Sequence, residues 1–94
     1  MPQRHLNIKI TGKVQGVGYR ATAKATANQA GVNGFVKNEP DGSIYIEAEA
    51  DEWSLQLFLD FCNEGPQGSV VTSVDTHEGE MKNYRNFEIV KRKL

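Results

Sequence analysis

The sequence holds one cysteine, Cys62. That excludes an internal disulfide and any cysteine cluster for a metal, and it fits a reducing compartment. No apolar run approaches the roughly 20 residues that span a bilayer. The N-terminus, Met1-Pro2-Gln3-Arg4-His5, leads straight into a strand-like segment, without the apolar stretch of a signal peptide. The chain therefore reads as cytoplasmic, with no membrane partner. Charge of one sign is also lacking: 11 Lys and Arg stand against 12 Asp and Glu, a net charge of −1. No whole-protein field favours nucleic acid, and the short tail Lys91-Arg92-Lys93 reads as a solvated basic end. Histidines are few. His5 and His77 lie far apart, neither at ligand spacing from a cysteine or carboxylate, so no metal site is expected and both read as surface strand residues. No serine sits in the G-x-S-x-G setting of a serine hydrolase. Length is short too: 94 residues imply one domain, residues 1–94, with one core and no separate lobe or lid. Any site must be built from surface loops, and a monomer that ends soon after its last strand is expected.

What the sequence does have is clear periodicity. Leu6, Ile8 and Ile10 alternate with Asn7, Lys9 and Thr11, the pattern of a half-buried strand. After a glycine-punctuated stretch, residues 21 to 30 are strong helix formers with Ala23, Ala27 and Ala30 on one face, so this helix should lie close to its sheet. Gly31 ends it. Phe35 to Asn38 is a short strand, Pro40-Asp41-Gly42 a turn, and Ile44, Ile46, Ala48 and Ala50 alternate through the next strand. Asp51 is an N-cap for a second helix, with Leu55, Phe58, Leu59 and Cys62 on its inner face and Gly65-Pro66 at its end. Ser69 to Thr76 and Phe87 to Val90 are the last two strands. The order β-α-β-β-α-β with an added C-terminal strand predicts an α+β, ferredoxin-like two-layer sandwich. Its sheet should be mainly antiparallel, with two helices on one face. The loop after the first strand and the end of the second then open on the same sheet edge.

That edge carries the chemistry. The loop Gly12-Lys13-Val14-Gln15-Gly16-Val17-Gly18-Tyr19-Arg20 leads directly into a helix. Glycines let successive N–H groups face one concavity, and a helix N-terminus adds further donors and positive potential. Arg20 supplies a two-pronged fork for phosphate oxygens. The glycine spacing fits neither the dinucleotide fingerprint nor a Walker loop. Taken alone it is equally compatible with a glycine-rich turn and a surface arginine. Cysteine phosphatases place a thiol six positions before such an arginine; here that position is Val14, and Cys62 falls among the apolar residues of the second helix. Water is then the nucleophile left. Asn38, at the same edge, can orient a water but is no strong base, which limits the reaction to substrates with good leaving groups. A carboxylic-phosphoric anhydride is such a substrate, although an ordinary turn residue also fits Asn38.

Gly12 to Arg20 resembles the first signature of the acylphosphatase family. Gly34-Phe35-Val36-Lys37-Asn38, followed by Asp41-Gly42, resembles the second. Gly65-Pro66 and Tyr84-Arg85-Asn86-Phe87-Glu88-Ile89 agree as well, so the resemblance spans essentially the whole chain. It implies hydrolysis of acyl phosphates to a carboxylate and inorganic phosphate, without metal or cofactor, on a ferredoxin-like fold. It also implies the roles: Arg20 binds phosphate with the backbone of Gln15, Gly16, Val17, Gly18 and Tyr19, and Asn38 orients the attacking water. Departures are few. Tyr19 and Phe35 stand where the family more often has phenylalanine and tryptophan. At Thr22-Ala23 the family usually has an aromatic followed by threonine, so the hydroxyl is turned by about 100° around the helix.

Other residues read as structural. Glu47 and Glu49 are expected to be solvated charge on the outer sheet face, Trp53 a packing residue at the core rim, and residues 78 to 83 a mobile connection. An RNA-binding sheet is disfavoured by the third strand, which offers one aromatic, Tyr45, and no basic surface. The remaining alternative is a non-catalytic or carbamoyl-phosphate-handling module of the same family.

Overall fold

The computed structural model describes residues 2–91; Arg92 and Lys93 of the basic tail lie outside the described residues. The elements in chain order are β1 (Gln3–Lys13), α1 (Tyr19–Ala30), β2 (Asn33–Asn38), β3 (Ile44–Asp51), α2 (Glu52–Glu64), β4 (Val70–Gly79) and β5 (Phe87–Ile89). The sheet runs β4-β1-β3-β2-β5. Every pairing is antiparallel except that of β2 with β5. This is the expected α+β ferredoxin-like sandwich.

Period-two alternation puts Leu6, Ile8 and Ile10 of β1 on the helix side, with Ile44, Ile46, Ala48 and Ala50 of β3 beside them, all buried. The α1 helix presents Ala23 and Ala27 to this face and α2 presents Leu55, Phe58 and Cys62. Alanine on helix and strand alike lets the two layers approach closely, and Phe58 fills the remaining gap by tilting against Phe87, 5.6 Å between ring centres. The caps follow the sequence. The Asp51 side chain accepts from the Ser54 N–H at 2.8 Å, and Gly31, left-handed at φ 79°, donates back to the Ala27 carbonyl. Near its end β1 shifts register between Thr11 and Gly12. Gly12 has φ 134°, and a Cβ there would lie 2.0 Å from the Val70 carbonyl oxygen. The first glycine of the motif is thus part of a bulge that bends the strand into the loop.

The outer face of the sheet departs from expectation. His5 is 1% exposed and Glu49 is 2% exposed, although alternation places both away from the helices. The cause is the connection from β4 to β5, expected to be mobile but laid across this face. The Glu49 carboxylate accepts from the N–H of Lys82 at 2.6 Å and of Tyr84 at 2.9 Å, and His5 Nδ1 stands 2.6 Å from it. The Tyr84 hydroxyl donates to Glu47 at 2.7 Å and its ring meets Phe35 edge-on. The two glutamates are therefore the anchor of a strap, not solvated charge. Trp53 also differs: at 71% exposure it stands clear of the core rim.

Candidate active site in the loop between β1 and α1

Gly16 and Gly18 both adopt left-handed backbone, φ 75° and 78°. Alternation with Val17 turns successive N–H groups toward one side, the geometry of an anion nest. Gly18 is also the N-cap of α1 and brings no side-chain cap, and no acidic residue occupies the first turn. A helix leaves its first N–H groups without internal acceptors. Among the described residues, no protein acceptor pairs with those of Gly16, Val17, Gly18, Tyr19 or Arg20. Five backbone donors without a protein acceptor therefore follow one another through the loop and into the first turn, at the positive end of a helix dipole.

Three side chains of the loop are held by other parts of the fold. Val17 packs against the core. Tyr19 is buried, and its hydroxyl donates to the Cys62 carbonyl at 2.9 Å. Burial raises the phenol well above its ordinary range, with the Cys62 thiol and the hydrogen bond to Cys62 adding to it. This tyrosine pins the loop to α2, a contact that phenylalanine does not make. Gln15 is held likewise: its amide donates to the carbonyls of Glu39 at 2.9 Å and Ser43 at 2.8 Å. The Thr22 hydroxyl donates to the Gly18 carbonyl at 2.9 Å, and Ala23, where the family's threonine stands, is fully buried.

A cavity of about 200 Å³ opens here, and its lining includes Val14, Gly16, Gly18, Arg20 and Asn38. The structure thus brings the two separated sequence motifs to one place. Arg20 forms no ion pair among the described residues, and no carboxylate lines the cavity. Asn38 ends β2. Its Oδ1 is, among the described residues, the buried side-chain oxygen or nitrogen without a hydrogen-bond partner. Such an acceptor costs about 1–3 kcal/mol unless something donates to it. Val14 is buried against the cavity and has no nucleophilic atom. Burial pushes the Cys62 thiol up to about 12, and the residue lies in the apolar core.

Sequence reasoning missed three lining residues: Ala21, next to Arg20, and the more distant Ile89 and Lys91. The signal for the latter two lay in topology: β5 runs parallel to β2, and the Val90 N–H donates to the Val36 carbonyl at 2.9 Å. The chain end therefore emerges on the edge where Asn38 sits, and Lys91 belongs to the cavity rim instead of a free tail. Among the described residues, no cluster of three or more His, Cys, Asp or Glu is placed to hold a metal ion.

Known proteins share this arrangement of elements. The sequence model of the acylphosphatase family matches residues 6–89. The acylphosphatase of Lactiplantibacillus plantarum is 42% identical over 87 residues, covering 92% of this chain and 97% of that protein. The crystal structure of acylphosphatase from Bacillus subtilis aligns with a TM-score of 0.90 at 34% identity, over 93% of this chain and 98% of that one. Full-length HypF in its phosphate- and nucleotide-bound form aligns with a TM-score of 0.85 at 32% identity, over 96% of this chain but 12% of its own.

Proposed function

The chain belongs to the acylphosphatase family, and from that premise we propose how its own residues hydrolyse an acyl phosphate. The phosphoryl group lies in the concavity of Gln15 to Tyr19, held by backbone N–H groups and by Arg20. Asn38 accepts a hydrogen bond from the attacking water through Oδ1. The water oxygen forms a new bond to phosphorus while the phosphorus–oxygen bond to the acyl group breaks, its electron pair leaving on the carboxylate. Among the described residues no carboxylate or histidine lines the cavity, and in this reading the water proton passes to a phosphoryl oxygen. The products are a carboxylate and inorganic phosphate.

The observation that carries this reading is the unpartnered Asn38 Oδ1 in the cavity that Arg20 and the glycines line. Negative charge that builds on the phosphoryl oxygens meets fixed N–H dipoles and a guanidinium, which need no reorganisation during the reaction. Because these groups supply the charge stabilisation, the reaction needs no metal ion. The same reading takes the chain to act as a monomer in the cytoplasm on a small-molecule substrate, with no nucleic acid partner. No described helix is long and apolar enough to cross a membrane.

The experiment is hydrolysis of acetyl or benzoyl phosphate by the purified chain with and without EDTA. Arg20→Ala should cost about 10²–10³-fold, the loss seen when an oxyanion donor is removed, and Asn38→Ala should lower mainly kcat. Absence of hydrolysis, or activity abolished by EDTA and restored by a divalent cation, overturns the reading. The second reading is the non-catalytic or carbamoyl-phosphate-handling module of the same family, and the alignment with 12% of HypF shows the same fold inside a much longer chain. Carbamoyl phosphate as the substrate with by far the highest kcat/KM would favour it.

A further inference from the structure

The phosphate loop and Asn38 belong to strands that are not neighbours. The sheet order puts β3 between β1 and β2, so about 10 Å separates the two outer strands at ordinary spacing, and no ladder bond joins them. Yet the reaction needs the cradle and the water-holding amide in one fixed relation. Gln15 supplies a direct link. Its side-chain nitrogen donates to the Glu39 carbonyl at 2.9 Å and to the Ser43 carbonyl at 2.8 Å. Glu39 follows Asn38 directly, and Ser43 precedes the first residue of β3, which pairs with Asn38.

The turn so gripped is itself rigid. The Glu39 N–H donates to the Ser43 carbonyl at 2.9 Å and the Gly42 N–H to the Glu39 carbonyl at 3.1 Å. The Asp41 carboxylate accepts from both the N–H and the hydroxyl of Ser43. Those two bonds, with Lys9 opposing burial, hold its carboxyl down to about 2. A closed turn moves as one body, and the two donated bonds fix that body to the loop that bears the cradle.

From this geometry we infer that Gln15 is a positioning residue: its amide sets the distance between the anion cradle and Asn38, and it acts on the reaction through Asn38. The inference rests on the reading of Asn38 given above. A 1 Å misplacement of a reacting group costs about 10²-fold, so loosening this link should appear in kcat, not in phosphate binding.

The test is Gln15→Leu, which keeps the bulk and removes both donated bonds. The expected result is a kcat lower by about tenfold or more, with KM and the inhibition constant of inorganic phosphate changed less than about threefold. In an Asn38→Ala background the same substitution should cost less than about twofold, because the group it acts through is gone. Equal losses in both backgrounds overturn the inference. So does a kcat close to wild type, and so does a rise in KM and in the phosphate inhibition constant, which would make Gln15 a direct phosphoryl ligand. If Gln15→Leu does not fold, Gln15→Glu replaces it. Its carboxylate would face two carbonyl oxygens at neutral pH, and protonation on acidification restores one donor. Its kcat relative to wild type should therefore rise as pH falls, and a flat ratio overturns the inference. The two readings fail differently. If Asn38→Ala leaves kcat unchanged, the premise falls. If it lowers kcat and Gln15→Leu does not, only the role of Gln15 falls.

Discussion

Replacing Glu49 by alanine should destabilise the protein by about 3 kcal/mol, although the residue lies on the sheet face opposite the helices. The carboxylate receives the Lys82 and Tyr84 N–H groups and stands 2.6 Å from His5 Nδ1. Hydrogen bonds to a charged group are worth about 1.5–3 kcal/mol each, and a buried donor left unpaired costs about 1–3 kcal/mol. Three such losses would exceed the predicted value if the strap stayed in place. It need not stay. Residues 80–86 can lift off and give their N–H groups to water, which limits the loss. Lifting then forfeits the Tyr84 contacts with Phe35 and His5, at 5.9 and 6.0 Å between ring centres, worth about 0.5–1.5 kcal/mol for each aromatic pair beyond the area buried. It also forfeits the hydroxyl bond to Glu47. The less costly route, lifting, sets the loss at about 3 kcal/mol, which for a domain this size lowers Tm by about 12–24 °C. Urea and thermal denaturation measure the loss, and hydrogen exchange at the Lys82 and Tyr84 amides locates it. A loss below about 1 kcal/mol with those amides still protected would refute the reasoning.

The pH dependence of the same group has a definite sign. Burial raises the Glu49 carboxyl, but the N–H of Lys82, His5 and the N–H of Tyr84 outweigh it and hold the pKa below its ordinary 4.5. A depressed carboxyl means that the folded state favours the ionised form. Its contribution is therefore fully present above about pH 4.5 and lost as pH falls through the folded value. Glu49→Gln should flatten this part of the acid limb.

Three further outcomes follow from single contacts. Tyr19→Phe leaves the Cys62 carbonyl without the phenol hydroxyl that donates to it and should cost about 1 kcal/mol in urea denaturation; a neutral result would mean that the loop is pinned by ring packing alone. Cys62, with its thiol pushed up to about 12 by burial, should react with a disulfide reagent at pH 8 at the rate of unfolding; fast labelling of the native protein would contradict its burial. Gly34→Ala puts a Cβ 1.8 Å from the Glu47 carbonyl oxygen, so the β2–β3 ladder must part and soluble expression should fall sharply; a wild-type Tm would be inconsistent with this register.

Most of the fold was legible because it depends on local patterns. Alternation in β1 and β3, the Asp51 cap and Gly31 each act within a few residues, and the order of elements left few topologies. The outer sheet face was not legible. Whether Glu49 meets water depends on a segment more than 30 residues later, and residues 80–86 carry no periodicity that would announce a strap. The meeting of Arg20 with Asn38 in one cavity followed from topology. The direction of the Gln15 side chain did not, because its acceptors are main-chain carbonyls of a distant turn, which have no signature in residue type. Lys91 was hidden for a related reason: a basic tail looks solvated until the strand before it is known to pair with β2.

The anion nest has a consequence for variation. Its donors are main-chain atoms, which every residue except proline carries, so no ordinary substitution deletes one. A survey that truncates side chains one by one would find Arg20 and pass over the rest of the cradle. What such variation can alter is the path of the chain, and that path depends on the left-handed turns at Gly16 and Gly18. Under the proposed function, recognition of the phosphoryl group is thereby insulated from side-chain change at Val17 and Tyr19, whose own constraints come from the core. Only backbone chemistry would address the donors singly: an ester in place of one amide removes one N–H and leaves every side chain where it was.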